Sequence, residues 1–436
     1  MVIYLDHAAT SPMRPEVIAA YAAALPLIGN PSSIHGQGQA ARELLETGRA
    51  QVAASLGADP AEIVFTGGGT ESVNLGIKGL FWARNFAARG AGEAPDAGRV
   101  AGEASLAGRA SGEAGVSRPR PRILVPLGEH HATVDSVEWL AAHEGAIVDW
   151  IPLDELGRIR LDALAEALNS GDDVALVTAI WANNEVGTIQ PVHEIVALAA
   201  KFGVPVHLDA VSAYGSVPID AHSVGADAIS VSAHKIGGPV GVGALVVSRT
   251  ARVEALLHGG NQQRARSGTQ DAAGASAFGV AASLIAPSSV ELVETTSPVE
   301  LVETPHVAAL RDRLVAGIHA SVPGAVLRGD PDPAGRLPGN AHFTFDGCEG
   351  DSLLFLLDTA GFSVSTGSAC QAGVPEASHV LLAMGLSDED ARGALRFTLG
   401  HDTTLAEIAA LLEVLPGVVA QARSAGLAAR IPSLGR

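Results

Sequence analysis

The chain has 436 residues, of which 47% are hydrophobic, and its formal net charge at pH 7 is −19. This length predicts two domains, because a single hydrophobic core stops growing at roughly 250–300 residues. The acidic balance argues against direct nucleic-acid binding, and the lack of a long apolar run or an amino-terminal signal pattern favours a cytoplasmic protein without a membrane span.

Short apolar runs alternate with amphipathic stretches such as Val192–Lys201 along most of the chain. This alternation predicts an α/β large domain with a mainly parallel sheet, which we place at residues 14–285. Residues 1–13 and 286–436 are predicted to form a smaller α+β domain. The expected strands are Glu62–Thr66, Ile123–Pro126, Val174–Ile180, Val206–Asp209 and Ala228–Ser232 in the large domain, and Ala341–Phe345 and Leu395–Leu399 in the small one.

Two inserts interrupt this pattern. Residues 89–122 are rich in Gly and Ala and repeat the unit AGRxxGEA at Ala97–Ala104 and Ala107–Ala114, so we expect a disordered surface loop there. Residues 288–304 repeat VELVET at Val290–Thr295 and Val299–Thr304, which fits two turns of a repeat, an amphipathic hairpin or a linker. Neither insert is assigned a function.

Lys235 follows the predicted strand Ala228–Ser232, in the sequence SAHK, and a Gly-rich stretch comes after it. Open α/β sheets bind ligands at the carboxyl ends of their strands, where a lysine with a lowered pKa can act as a nucleophile. A single lysine in such a place is more often solvated or salt-bridged. Its significance therefore depends on what the neighbouring strands carry.

Two other strand ends predict parts of the same site. Asp209 ends the strand Val206–Asp209, where its carboxylate could pair with a protonated pyridine nitrogen, although an aspartate there is often only a helix cap. The strand Glu62–Thr66 runs into Gly67–Ser72, whose glycines and helix start favour a phosphate, with Thr70 as a hydroxyl donor. A phosphate, a pyridine nitrogen and an aldehyde for the lysine together predict pyridoxal phosphate (PLP).

The two cysteines, Cys348 and Cys370, predict neither a disulfide framework nor a metal-binding pair, and no metal is expected. Cys348 is expected to be a small buried hydrophobe. Cys370 instead lies among small residues, from Ser365 to Gly373, that suit a mobile exposed loop. Cationic neighbours there could lower the pKa of its thiol and make it a reactive thiolate.

Taken together, these stretches resemble the cysteine desulfurases of the NifS and IscS group, which are PLP enzymes of aminotransferase class V. Apart from the two inserts, the resemblance covers nearly the whole chain. Its motifs are YLDHAATSP at Tyr4–Pro12, GNPSSIHGQG at Gly29–Gly38, EIVFTGGGTESVNLGIKG at Glu62–Gly79, EHHATVD at Glu129–Asp135, NNEVGTIQP at Asn183–Pro191, SAHKIGGPVGVGAL at Ser232–Leu245, RSGTQ at Arg266–Gln270, STGSACQAG at Ser365–Gly373 and RFTLG at Arg396–Gly400.

The resemblance implies a homodimeric PLP-dependent transferase of fold type I, with a role for each matching residue. Lys235 resembles the lysine that holds the cofactor and moves protons, Asp209 the partner of the ring nitrogen, and His130 the catalytic histidine that stacks on the ring. The other cofactor-binding residues implied in this way are Gly69, Thr70, Asn183, Ser212, Ser232, His234 and, reaching a phosphate in the neighbouring subunit, Thr269.

Substrate binding is assigned by the same resemblance to Arg396, with help from Asn183 and Asn340. A guanidinium suits this role because its planar fork matches both oxygens of a carboxylate, whereas lysine offers a point charge. The implied reaction takes sulfur from L-cysteine, giving L-alanine and a persulfide on Cys370. The stretch from Cys370 to Ser378 resembles the longer loop of the first desulfurase group.

The implied partner is a sulfur-acceptor protein, such as an iron–sulfur scaffold or a tRNA-thiolation enzyme. One alternative is a selenocysteine lyase or another PLP-dependent lyase of sulfur amino acids, because its cofactor site would look alike. A different alternative is a catalytically weak paralogue that serves as a scaffold or a sulfur-relay partner. The presence of Lys235, Cys370 and Arg396 together argues against the second alternative.

Two departures from the family pattern bear on the cofactor site. Ser212 stands three residues after Asp209, where the family has a glutamine that touches the ring hydroxyl. A serine is too short for that contact, so a water would have to bridge. The stretch His258–Thr269 is one residue shorter than the family pattern, which affects the placement of Thr269.

Overall fold

A computed structural model describes residues 2–89, 118–286, 304–367 and 377–430. Cys370 and both AGRxxGEA repeats lie outside the described residues, as do the VELVET repeats apart from Thr304, which begins a helix. The expectations for these stretches therefore stay predictions, as does the division into domains at residues 13 and 285.

Strands form three separate sheets in the described part of the chain. The strands are β1 Ile3–Tyr4, β2 Ile63–Thr66, β3 Arg122–Pro126, β4 Ile147–Ile151, β5 Val174–Ile180, β6 Val206–Asp209, β7 Ala228–Ser232, β8 Gly243–Val247, β9 Ala325–Arg328, β10 Asn340–Phe345, β11 Phe362–Ser363 and β12 Ala394–Thr398. The predicted bounds of β5, β6 and β7 are correct, and those of β3, β10 and β12 shift by one residue.

The helices cover both faces of the largest sheet and most of the small one. They are α1 Pro15–Ala24, α2 Gly36–Ser55, α3 Gly69–Arg89, α4 His131–Glu144, α5 Leu161–Asn169, α6 Val192–Lys201, α7 Ala221–Val224, α8 Ala272–Ile285, α9 Thr304–Ser321, α10 Gly350–Thr359, α11 His379–Ala383, α12 Asp388–Arg392 and α13 Leu405–Arg430. The predicted helix Val192–Lys201 has the bounds of α6.

The seven-stranded sheet has the order β2-β8-β7-β6-β5-β3-β4 and is mainly parallel, which confirms the predicted fold class. Its exception is β8, which runs antiparallel to both β7 and β2. Strands β5 to β8 are buried along their whole length, which explains why their sequences are mainly apolar. All of the parallel strands end at the same edge, so their following loops meet there.

One predicted strand boundary is wrong for a local reason. Glu62 ends a 3-10 turn, Pro60–Glu62, and does not begin β2. Its carboxylate accepts a hydrogen bond of 2.9 Å from the backbone N–H of Asp59, which caps the turn. The extended chain therefore starts at Ile63.

The small three-stranded sheet is antiparallel, with β10 between β9 and β12. The amino-terminal segment joins it, because β1 pairs in parallel with β11 and Asp6 bridges to Thr398. Buried apolar residues such as Leu5, Phe343 and Phe397 share one core there with α9, α10 and α13. Residues 6–10 are thereby brought next to the loops of the large sheet.

Helix α13 contains Leu405–Ser424, the one described stretch that is long and apolar enough to cross a membrane. Its residues Ile408, Leu411 and Leu415 are almost completely buried in the core of the small sheet. The buried face of this helix therefore belongs to the core that it shares with α9 and α10.

Candidate active site

A cavity of about 400 Å³ opens at the carboxyl edge of the seven-stranded sheet. Loops after β2, β3, β5, β6 and β7 form one side, and residues 8 and 9 with the end of the small sheet form the other. Eight of the residues singled out from the sequence line it, namely Gly69, Thr70, His130, Asp209, Ser212, His234, Lys235 and Arg396.

Lys235 lies in a short 3-10 turn that follows β7, and its Nζ points to the amino-terminal segment. Nζ donates hydrogen bonds to the carbonyl oxygens of Ala8 and Ala9, the latter at 3.2 Å. Burial lowers the pKa of Lys235 to about 8, and repulsion from Arg396 acts in the same direction. The amine can therefore lose its proton near neutral pH, as a nucleophile or a proton carrier must.

Asp209 ends β6 and is 3% exposed. Its Oδ1 accepts a hydrogen bond of 3.0 Å from the backbone N–H of Val211, which fixes the carboxylate at the floor of the cavity. Burial raises the pKa of Asp209 to about 6, while that hydrogen bond and the charge of Lys235 oppose the rise. A buried carboxylate of this kind is well suited to hold a protonated ring nitrogen.

A phosphate fits the residues at the start of α3. Gly69 is the first residue of α3, and a Cβ there would lie 2.9 Å from Cγ2 of Val211 and 3.4 Å from Cβ of Ser232. Ser232 is fully buried, and its hydroxyl has no hydrogen-bond partner among the described residues. A helix start without a side chain, beside a hydroxyl that lacks a partner, offers free donors to an anion.

His234 lines the same end of the cavity. Its Nδ1 lies 3.2 Å from the hydroxyl oxygen of Thr10. Burial, with help from the charge of Lys235, lowers the pKa of His234 to about 4, so the ring is neutral at physiological pH. A neutral imidazole can donate one hydrogen bond to a phosphate.

His130 precedes α4 and caps it, because its Nδ1 accepts a hydrogen bond of 3.0 Å from the backbone N–H of Ala132. Burial and, second, the charge of Lys235 lower the pKa of His130 to about 4. With Nδ1 occupied as an acceptor, the proton of the neutral ring is on Nε2. An uncharged ring in this position can stack on an aromatic cofactor.

Arg396 extends from β12 and is 4% exposed. One terminal nitrogen donates to the carbonyl oxygen of Asn184 at 2.7 Å and the other to Oδ1 of Asp6 at 2.8 Å. Its Nε has no hydrogen-bond partner within the described ranges. Asp6 thus orients the guanidinium, a role that sequence reasoning missed although Asp6 lies in the YLDHAATSP motif.

The asparagine at the cavity is Asn184, so the assignment to Asn183 is corrected. The side chain of Asn183 is used inside its own loop, where it donates to the carbonyl oxygen of Gly128 and accepts from the N–H groups of Glu185 and Val186. These bonds turn Asn183 away from the cavity. The sequence offers two adjacent asparagines, and only the turn geometry distinguishes them.

Asn340 is also placed differently from the prediction. It lines an adjoining cavity of about 110 Å³, which shares Lys235, Asn184 and Ser212 with the larger cavity. Its amide nitrogen donates to the carbonyl oxygen of Glu185 at 2.9 Å. Asn340 therefore supports the loop that carries Asn184, and its own side chain does not line the larger cavity.

Thr269 is exposed and does not line the larger cavity of its own chain. It lies just before Asp271, whose side chain caps α8. Its assignment to a phosphate in a neighbouring subunit stays a prediction.

Glu129 was not singled out from the sequence as a site residue, yet it is completely buried beside the site. Its Oε1 accepts a hydrogen bond of 2.7 Å from the backbone N–H of Ile180, while Oε2 has no partner in the described part of the chain. Burial, with repulsion from Asp209, raises the pKa of Glu129 to about 8. The neutral acid therefore predominates at physiological pH and adds no second negative charge next to Asp209.

The model of the family described as aminotransferase class V matches residues 3–90 and 102–411 of this chain. A protein named IscS-like cysteine desulfurase, from Mycobacterium tuberculosis, is 48% identical over 98% of both chains. Cysteine desulfurase IscS of Methanosarcina thermophila is 36% identical over 97% of this chain and 93% of its own. A solved structure described as a NifS-like protein is 30% identical, with a TM-score of 0.79 over 97% of this chain and all of that one.

Proposed function

Because this chain belongs to the aminotransferase class V family, and its full-length relatives are cysteine desulfurases, we propose that it is a PLP-dependent cysteine desulfurase. The structural observation that carries the proposal is the convergence of Lys235, Asp209 and Arg396 on one cavity. The substrate is L-cysteine and the products are L-alanine and protein-bound sulfur.

The residues around the cavity fit PLP. Lys235 would hold its aldehyde, Asp209 its ring nitrogen, and the start of α3 with Thr70, Ser232 and His234 its phosphate. The neutral ring of His130 would stack on the pyridine. When bound, the cofactor supplies an electron-withdrawing ring that stabilises negative charge on the α-carbon of the substrate.

Arg396 binds the substrate carboxylate, held in place by Asp6 and the carbonyl oxygen of Asn184. Lys235, with its lowered pKa, removes the α-proton before sulfur is transferred and returns a proton to the α-carbon afterwards. Cys370 then attacks the substrate sulfur as a thiolate. A sulfur–sulfur bond forms and the carbon–sulfur bond of cysteine breaks, and its electron pair stays on the carbon, which takes a proton to become the methyl group of alanine.

We propose a cytoplasmic homodimer that passes the sulfur to an acceptor protein, such as an iron–sulfur scaffold or a tRNA-thiolation enzyme. Support for the dimer comes from the segment between α1 and α2, where Ile28 is 83% and Ile34 is 92% exposed, with Leu25 at 62% nearby. Three large apolar side chains this exposed within ten residues of chain fit a surface that a partner covers. The exposed Thr269 is free to enter the partner's site in such a dimer.

The test uses purified enzyme with PLP and cysteine, and follows alanine, sulfide and the absorbance of the bound cofactor. Lys235→Ala should abolish the absorbance band of the lysine-bound cofactor and the formation of alanine. Cys370→Ala should keep that band and lose sulfur release. A Lys235→Ala protein that retained the band would refute the cofactor assignment. Comparing turnover of cysteine and selenocysteine would decide between a desulfurase and a selenocysteine lyase.

A further inference from the structure

The buried side chain of Glu129 joins the loop that carries His130 to the end of a strand in the large sheet. This loop, residues 127–130, connects β3 with α4, and His130 is its last residue. Oε1 of Glu129 accepts a hydrogen bond of 2.7 Å from the backbone N–H of Ile180, the last residue of β5. His130 and Ile180 both line the larger cavity, and Glu129 lies behind them in its wall.

The end of β5 is in turn fixed to Asp209. Ile180 and Asp209 are paired directly in the parallel register of β5 and β6. The next residue, Trp181, donates a backbone hydrogen bond of 2.8 Å to the carbonyl oxygen of Asp209. The hydrogen bond of Glu129 therefore connects the loop that ends in His130 to the strand pair that ends in Asp209.

Other contacts hold the backbone of the same loop. Asn183 donates a hydrogen bond of 2.9 Å to the carbonyl oxygen of Gly128, and Nε2 of His379 lies 2.9 Å from the carbonyl oxygen of Glu129. These contacts use backbone atoms of the loop, so they remain when the side chain of Glu129 is changed. Removing that side chain should therefore displace His130 slightly without unfolding the loop.

The hydrogen bond between Glu129 and Ile180 lies in the interior. Glu129 is 0% exposed and Ile180 is 3% exposed. A buried N–H that loses its acceptor costs free energy, so the chain around it has to shift until the N–H finds another partner. A shift of this kind would move His130 relative to Asp209.

We propose that Glu129 is a positioning residue that places the ring of His130 against the cofactor, by fixing the loop after β3 to the strand end beside Asp209. The inference rests on the proposed function, in which His130 stacks on the pyridine ring and Asp209 holds its nitrogen. Both residues must meet one rigid planar ring, so their relative position has to be correct to within about 0.5 Å.

The variants separate the hydrogen bond from the volume of the side chain. Glu129→Gln keeps an oxygen that accepts from the N–H of Ile180, and it resembles the neutral acid that predominates near pH 7. Glu129→Met keeps an unbranched side chain of similar length without that acceptor. Glu62→Met is the matched control, because Glu62 is also buried and accepts a backbone hydrogen bond of 2.9 Å from Asp59, but it precedes β2 at the edge opposite the cavity.

The experiment uses the holoenzymes and has three readouts. Visible circular dichroism of the bound cofactor reports how its ring lies in the asymmetric site, and steady-state alanine formation gives kcat and KM. Denaturant titration gives the free energy of unfolding, which separates a general loss of stability from a change at the cofactor. A purely structural role would lower the free energy of unfolding and leave the dichroism band unchanged.

Glu129→Met should weaken the dichroism band and lower kcat about tenfold, the scale of one lost hydrogen bond. The KM for cysteine should stay close to that of the wild type, because Arg396 is untouched. Glu129→Gln should keep the band and remain within about twofold of the wild-type kcat, since its oxygen accepts the same hydrogen bond. Glu62→Met should be less stable but have the wild-type band and kcat.

A double variant tests whether Glu129 acts through His130. His130→Ala removes the ring that Glu129 positions, so adding Glu129→Met should weaken the dichroism band and kcat no further. If Glu129→Met does not fold, Glu129→Asp takes its place, because its carboxyl group is one methylene too short to reach the N–H of Ile180.

A wild-type dichroism band and kcat in Glu129→Met would overturn the proposal, as would an equal loss in Glu62→Met. Independent losses that multiply in the double variant with His130→Ala would overturn it too. Each of these results is compatible with an inactive Lys235→Ala enzyme that lacks the cofactor band, and then only the positioning role fails. A cofactor band that persisted in Lys235→Ala would instead refute the proposed function.

Discussion

The carboxyl edge of the large sheet and the junction with the small sheet contribute to one cavity in different ways. At the sheet edge, Asp209 is the last residue of one buried strand and Lys235 lies in the short turn after the next, so regular hydrogen bonding places them. At the junction, Arg396 is positioned by Asp6, which lies 390 residues away in the sequence. The cofactor residues are fixed by one sheet, whereas the substrate-binding arginine depends on two parts of the chain meeting.

The largest effect should come from Asp209→Asn at the sheet edge. An asparagine cannot stabilise a protonated ring nitrogen by charge, so kcat should fall roughly 100-fold or more, the scale of a lost acid–base partner. Steady-state alanine formation measures it. Asp227→Asn is the matched control, because Asp227 accepts a hydrogen bond of 2.9 Å from Val206 at the opposite end of β6. An equal loss in both variants would contradict a specific role for the carboxyl edge.

Arg396→Lys tests the junction. Lysine cannot reproduce the planar fork, so kcat/KM for cysteine should fall roughly 10- to 100-fold, since a hydrogen bond to a charged group contributes about 1.5–3 kcal/mol. The bound-cofactor absorbance without substrate should be unchanged. Arg311→Lys changes another buried arginine, on α9, and should have no such effect. Loss of the cofactor band in Arg396→Lys would mean that Arg396 also affects cofactor binding. The sheet edge and the junction would then not act independently.

Glu129→Gln tests the sheet edge by its effect on the pH dependence of the free energy of unfolding. Burial raises the pKa of Glu129 from 4.5 to about 8, so the folded protein holds a proton that the unfolded chain loses. The stabilisation from this neutral group is complete below pH 4.5 and is lost as the pH rises towards about 8. In Glu129→Gln, the free energy of unfolding should therefore fall less steeply over this range, as measured by denaturant titration at several pH values.

The control for this measurement is Glu138→Gln, which changes an exposed carboxylate on α4. Its pH dependence should follow that of the wild type. If Glu129→Gln and the wild type gave parallel curves, Glu129 would be ionised in the folded protein.

The smallest effect is expected for Ser212→Gln, at a residue that lines both cavities. The longer side chain can enter the space between them and donate a hydrogen bond towards the ring hydroxyl of the cofactor. A neutral hydrogen bond of about 0.5–1.5 kcal/mol corresponds to a two- to tenfold change in rate or affinity. The pH at which the cofactor absorbance changes should shift with it. An unchanged titration would show that the side chain at position 212 does not reach the cofactor.

Several strands of the sheet could be predicted because they are short and mainly apolar, as Val174–Ile180 and Ala228–Ser232 are. The pairing of Asp6 with Arg396 could not be predicted, because no local pattern indicates which distant segments meet. The sequence likewise does not distinguish Asn183 from Asn184, since the hydrogen bonds inside a turn decide which side chain faces the cavity. Glu129 was missed because its burial depends on neighbouring strands.

The contact between Asp6 and Arg396 has a consequence for biosynthesis. A ribosome produces Asp6 early and Arg396 only after 390 further residues, so the substrate side of the cavity cannot assemble while most of the chain is still being translated. The strands that end in Asp209 and Lys235 emerge well before that point. Truncated nascent chains could therefore contain every cofactor-holding residue of the large sheet and still lack the means to bind cysteine.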